Sequence, residues 1–94
     1  MILLVRLRCL EGARKTAFKT GYRPDWKSER KPELNGAQVL LSRRVLEVPP
    51  GGESEVLLQP LVPDLWQVEV RDVLLGFEGF KQTVEGVVLE VFEP

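Results

Sequence analysis

Histidine is missing from all 94 residues, and cysteine occurs once, as Cys9. Without histidine, His-based acid–base catalysis and His-activated nucleophiles are excluded. A lone cysteine forms no internal disulfide and builds no Cys-rich zinc site, so no structural metal is expected and a reducing, cytoplasmic setting fits. Long apolar runs are missing too. Met1 to Val5 and Val87 to Leu89 fall far short of the roughly 20 residues that span a bilayer as a helix. Arg6 and Arg8 interrupt the N-terminal stretch without a small-residue cleavage pattern, so no secretory signal is read. No Gly-x-x-x-x-Gly-Lys-Ser/Thr loop is present to cradle phosphates, and neither a nucleotide nor another cofactor is expected.

What is present is an ordinary globular composition, 44% hydrophobic and 29% charged, in a length that fits one domain over residues 1–94. The net charge of −1 hides a segregation along the chain. Residues 1–44 carry eleven Lys and Arg against Glu11, Asp25, Glu29 and Glu33, a balance of +7. Residues 45–94 carry Arg71 and Lys81 against ten acids, a balance of −8. A basic segment of this kind suits phosphate or an acidic partner. If strands from the two halves interleave, the same charges pair across the surface instead and contribute little.

Period-two alternation dominates the pattern. Leu3, Val5, Leu7 and Cys9 alternate with Leu4, Arg6 and Arg8, as in a half-buried strand. Residues 64–75 read as another strand, with Trp66, Val68 and Val70 on one face and Gln67, Glu69 and Arg71 on the other. The last strand sets Val87, Leu89 and Val91 against Val88, Glu90 and Phe92. Val39 to Val48 and Glu55 to Leu61 supply further strand material, with a bulge or turn near Ser42 to Arg44 where the apolar parity shifts. Pro49-Pro50-Gly51-Gly52, Asn35-Gly36 and Gly76 to Gly79 read as turns, and Glu29 to Asn35 as a mobile polar loop. Phe18, Tyr22 and Trp26 recur every four residues, but Gly21 and Pro24 oppose a helix; in extended chain the three share a face. Five or six short strands and nothing else predict a barrel or sandwich, closure being the usual way for a small domain to hide its edges.

The segment Glu11-Gly12-Ala13-Arg14-Lys15-Thr16-Ala17-Phe18-Lys19-Thr20-Gly21-Tyr22-Arg23-Pro24-Asp25-Trp26 resembles the start of the third, C-terminal β-barrel domain of elongation factor Tu. That family shows Glu-Gly-Gly-Arg, then Thr and Phe, then Gly-Tyr-Arg-Pro and an aromatic, at this spacing without a gap. Val48-Pro49-Pro50-Gly51-Gly52 is similar to its Pro-Gly-Asp turn. Phe77-Glu78-Gly79-Phe80-Lys81 and Glu85-Gly86-Val87-Val88 resemble its Arg-Glu-Gly-Gly-Arg and Ala-Gly-Val-Val. The correspondence covers nearly the whole chain and implies a six-stranded closed antiparallel barrel. In the factor this barrel touches the T-stem of aminoacyl-tRNA and meets protein partners. By resemblance, Arg14 takes the place of a tRNA-backbone contact, Lys15 replaces a histidine beside it, and Glu78 and Gly79 match a turn that approaches the same stem. The sequence departs from the family where Ala13 and Phe80 replace the second glycine of each pair, and where Lys27-Ser28-Glu29-Arg30 replaces an aromatic strand.

The residues themselves leave two functions open. Phe18, Lys19, Tyr22, Arg23, Trp26 and Lys27 interleave rings with cations, either as a platform for phosphates and bases or as aromatics that pack the core while the cations face water. Glu11, Asp25, Glu78 and Glu85 sit on or near turns with nothing pairing them for catalysis, and are read as solvated acids. Cys9 and Trp66 are read as core. The chain is therefore expected to be a noncatalytic binding module. One reading is a protein-interaction or adaptor module of translation-factor type, including self-association, which suits the near-zero net charge. The other is tRNA or structured-RNA binding through the basic hairpin near Arg14 and Lys15. The candidate binding residues are Arg14, Lys15, Lys19, Arg23, Glu78 and Gly79.

Overall fold

The computed structural model describes residues 1–31 and 34–93. Six strands form a single antiparallel sheet: β1 (Ile2–Cys9), β2 (Asp25–Ser28), β3 (Ala37–Leu40), β4 (Glu53–Pro60), β5 (Val73–Glu78) and β6 (Lys81–Phe92). Their order is β2-β5-β6-β1-β4-β3, and the sheet curls into a half-barrel. The only helical turn among the described residues is a 3₁₀ turn at Pro63–Leu65. No helix among them is long and apolar enough to cross a membrane.

β1 is the keel. Its alternation is realised as expected, with Leu3, Val5, Leu7 and Cys9 fully buried and Arg6 and Arg8 exposed. It pairs along its length with β4 on one side and β6 on the other. Val56 and Leu58, Val84 and Val88, Leu74, Trp26, and Ala37 and Val39 join it from the other strands. Phe18, Leu34, Val48, Trp66 and Val68 close the core from outside the strands. Each fully buried aliphatic or aromatic side chain stabilises the fold by about 1.5–3 kcal/mol.

Two bulges bend β6. Leu4 faces Glu90 while Val5 faces Val88, leaving Leu89 unpaired with β1. Gly76 faces Val84 while Phe77 faces Gln82, leaving Thr83 unpaired with β5. The first bulge breaks the strict alternation expected of the last strand. Val88 is inside, Val87 is 39% exposed, and Val91 packs on the core only because the bulge resets the parity.

Residues 64–75 depart furthest from expectation. They hold the 3₁₀ turn and an unpaired extended stretch, and β5 starts only at Val73. Trp66 and Val68 are buried as the alternation implied, but Val70 is 51% exposed. Arg71, at φ 79°, turns the chain where a strand would run on. Val39 to Val48 likewise ends as a strand at Leu40, turning at the expected place through the bond from Val45 N to Ser42 O (3.1 Å). Gly76 lies inside β5, so the expected turn at 76–79 narrows to Gly79 and Phe80. Of the loop expected from Glu29 to Asn35, Pro32 and Glu33 lie outside the described residues.

The short edge strands β2 and β3 are not bare. Gly21 N donates to Val39 O (2.7 Å), Val39 N to Tyr22 O (2.9 Å) and Leu34 N to Trp26 O (3.2 Å). Asp25 bridges Gly36 and Phe18 bridges Val48. The indole of Trp26 donates from β2 to Ala37 O on β3 (3.1 Å). Backbone groups used this way are unavailable as a template for an added strand.

Candidate functional site

The β5–β6 connection is a two-residue hairpin, since Glu78 pairs with Lys81 across Gly79 and Phe80. Gly79 has φ 64°, the conformation a type II′ turn needs at its first central residue. The turn holds Phe80 out of the sheet altogether, and its ring is as exposed as in an extended chain (105%).

The base of this hairpin is clamped. Arg14 Nη1 bonds Glu78 Oε2, while its Nε and Nη2 donate to Thr16 O (3.1 Å), Thr16 Oγ1 (3.3 Å) and Ala17 O (3.4 Å). Its guanidinium lies 4.6 Å from the centre of the Tyr22 ring, which stacks at 5.2 Å on Phe18. The Tyr22 hydroxyl donates to Glu78 Oε2 (2.6 Å) and lies 2.6 Å from Thr83 Oγ1. Since the tyrosyl proton goes to the carboxylate, the threonine hydroxyl donates to the tyrosyl oxygen. The bulge at Thr83 is what turns that fully buried hydroxyl toward Tyr22.

Electrostatics fix the protonation of this cluster. The hydrogen bond from Tyr22, then the bonds and charge of Arg14, hold the Glu78 carboxyl below its ordinary value despite some desolvation. Burial, then the bond to Glu78, pushes the Tyr22 phenol up to about 12. Near neutral pH the cluster is thus an arginine cation, a carboxylate and a neutral phenol, and none of them exchanges a proton there. It holds a shape. Cys9 lies wholly inside, and burial raises its thiol pKa, which suppresses the reactive thiolate.

Of the six expected binding residues, Arg14 and Glu78 are brought together and Gly79 forms the turn next to them. Arg14 is committed inward, with its side chain only 17% exposed, and so is poorly placed to meet a phosphate. Lys15, Lys19 and Arg23 are exposed and make no ion pair among the described residues; Lys19 serves the turn through its carbonyl, which accepts from Tyr22 N (3.1 Å). Lys27 lies over the Phe77 ring at 4.8 Å, and Phe18, Tyr22 and Trp26 face the core, so the interleaved segment packs its rings and points its cations outward. Sequence reasoning missed Thr83 and Phe80. Phe80 had one signal: a large apolar residue beside a turn glycine, between two strands, has no burial to gain.

The segregated charges do pair in space. Arg6–Glu55 (3.7 Å), Arg8–Glu85 (3.0 Å), Arg14–Glu78, Arg30–Glu69 (3.8 Å) and Arg30–Asp72 (2.9 Å) each join an arginine of residues 1–44 to an acid of residues 45–94. Asp72 is held below its ordinary pKa against desolvation by the bond from Arg30 and by Glu69 N.

No protein-family model matches the chain, and no curated protein matches it.

Proposed function

We propose that this domain is a noncatalytic protein-interaction module of translation-factor type, acting in the cytoplasm, with Phe80 as the anchor that enters its partner. The observation that carries the reading is a wholly exposed phenylalanine on a hairpin whose base is clamped by Arg14, Tyr22, Glu78 and Thr83. Aromatic anchors dominate the energy of protein interfaces, and a tip ordered beforehand loses less entropy on binding. A closed six-stranded barrel, like the last domain of elongation factor Tu, is the architecture we propose for it. The bonds joining residues 21–26 to residues 34–39 favour closure.

A second reading, binding of tRNA or structured RNA, is favoured by the exposed cations Lys15, Lys19 and Arg23. It loses Arg14 to internal contacts. Affinity capture with wild-type and Phe80→Ala protein, with and without nuclease, separates the two. The interaction reading expects a protein partner that survives nuclease and is lost with Phe80→Ala. Capture of RNA that weakens steeply with salt and ignores Phe80→Ala refutes it in favour of the second.

A further inference from the structure

The exposed aromatic at one end of the sheet has a counterpart at the other. A cleft of ≈ 350 Å³ is walled by Ile2, Pro60, Pro63 and Phe92, with Gln59 and Glu93 among its polar lining. An apolar cavity of about 150 Å³ already accepts a benzene ring, so a phenylalanine side chain fits with room to spare. Two of the walls are prolines, which bring no backbone N–H to be left unpaired by an apolar guest. Beside the cleft the chain exposes Leu61 (48%), Val62 (45%) and Leu65 (45%), a further apolar rim.

Knob and cleft are at opposite ends of β6, which leaves the hairpin at Lys81 and reaches the cleft at Phe92. Twelve residues of strand, at about 3.3 Å each, keep the ring of Phe80 from filling the cleft of its own molecule. The charges beside the two surfaces are opposite in sign. Next to the knob stands Lys81, with Glu78 already neutralised by Arg14; the cleft is lined by Glu93 and Met1, with Asp64 the chain neighbour of Pro63.

Resting on Phe80 as anchor, we infer that the partner is a second copy of this chain, bound head to tail with Phe80 of one molecule in the Pro60–Pro63–Phe92 cleft of the next. Such a contact is heterologous: each molecule uses a different surface, and repetition gives a ring or an open filament. One ring buries only about 150–250 Å² where a stable interface needs about 1,200–2,000 Å². The association is accordingly weak, with a dissociation constant on the order of 100 µM.

The test is sedimentation velocity over about two decades of concentration around that value, using wild type, Phe80→Ala and Pro63→Glu. Both substituted residues are exposed, and circular dichroism checks that the variants keep the fold. Wild type is expected to gain apparent mass with concentration. Each variant alone is expected to stay monomeric, its dissociation constant raised at least about tenfold. An equimolar mixture of the two variants is expected to approach twice the monomer mass and go no further, because the intact knob of Pro63→Glu meets the intact cleft of Phe80→Ala. A wild type monomeric throughout, a single variant that associates like wild type, or a mixture that stays monomeric overturns the proposal. If it is overturned while Phe80→Ala still abolishes capture of a different protein, the interaction reading stands and only the second copy falls. Loss of both removes Phe80 as an anchor.

Discussion

Replacing Tyr22 by phenylalanine removes one oxygen atom from the clamp and leaves its ring in place. The stack on Phe18 and the contact with the Arg14 guanidinium both belong to the ring, so the substitution isolates the hydroxyl. That hydroxyl makes two bonds of 2.6 Å, to the Glu78 carboxylate and to Thr83 Oγ1. A hydrogen bond to a charged group is worth about 1.5–3 kcal/mol, and a buried hydroxyl left without a partner costs about 1–3 kcal/mol. Glu78 keeps Arg14 and is 46% exposed, so water recovers part of its loss and the low end applies to that bond. Thr83 is fully buried, and water does not replace what it loses. The two effects together predict a loss of about 2.5–4.5 kcal/mol, a large share of the 5–15 kcal/mol typical of whole domains. In a domain this size 1 kcal/mol moves the melting temperature by about 4–8 °C, so the expected drop is roughly 10–35 °C.

The assay is urea and thermal unfolding followed by fluorescence of the buried Trp26 and Trp66, with an unchanged m-value as the control for a two-state comparison. A double-mutant cycle then assigns the loss. Thr83→Val combined with Tyr22→Phe should cost clearly less than the sum of the single changes, because removing both partners leaves no stranded hydroxyl. A Tyr22→Phe loss below about 0.5 kcal/mol, within the range of an ordinary surface change, would show that the hydroxyl clamps nothing and would remove the argument for a rigid hairpin.

Other perturbations test separate parts of the fold. The raised phenol of Tyr22 keeps its stabilising effect below pH 10 and loses it as pH climbs from 10 to about 12, so wild-type unfolding should show an alkaline fall that Tyr22→Phe flattens. The lowered Glu78 carboxyl acts in the opposite direction: it stabilises above its ordinary value and ceases to as pH falls through its folded one, and Glu78→Gln should converge on wild type in acid. Gly86→Ala would set a methyl 2.6 Å from Val5 Cγ1 and 3.0 Å from Arg6 O, and should cost about 1–3 kcal/mol by overpacking, read from the urea midpoint. Trp66 Nε1 is buried without a partner while Trp26 Nε1 bonds Ala37 O; Trp26→Phe should therefore be costlier than Trp66→Phe by about 1 kcal/mol or more, and equal losses would contradict that.

Where the chain alternates and also pairs, the sequence is a good guide: β1 and β4 lie within a few residues of their expected places. Residues 66–70 show why the same signal fails elsewhere. Alternating burial is a property of extended chain lying against a core, and Trp66 and Val68 obey it without a neighbour on a ladder. Arg71 in the left-handed region and the bulges at Thr83 and Leu89 have no residue signature of their own, and each resets which side chains face inward. The site was legible only as separate pieces. Arg14 and Glu78 are 64 positions apart, and nothing in local pattern tells that an arginine in the loop between β1 and β2 will be spent on a glutamate in the β5–β6 hairpin.

Topology also decides what the segregated charges mean. β1, from the basic half, lies between β4 and β6 from the acidic half, so Arg6 faces Glu55 and Arg8 lies between Glu53 and Glu85 by register alone. Folding cancels part of a charge imbalance that reads as an anion-binding stretch, pairing four of its eleven cations among the described residues, and the exposed pairs contribute at most about 1 kcal/mol each. Lys15, Lys19 and Arg23 stay outside the pairing, and so does the hairpin tip. The clamp beneath it spends an arginine, a tyrosine and a buried threonine hydroxyl on a turn of two residues, far more than a solvent-facing connection needs to close. A turn whose base is fixed beforehand leaves less backbone to order on binding. That saving would matter for the weak contact proposed through a single ring, because the clamp fixes the backbone that carries Phe80.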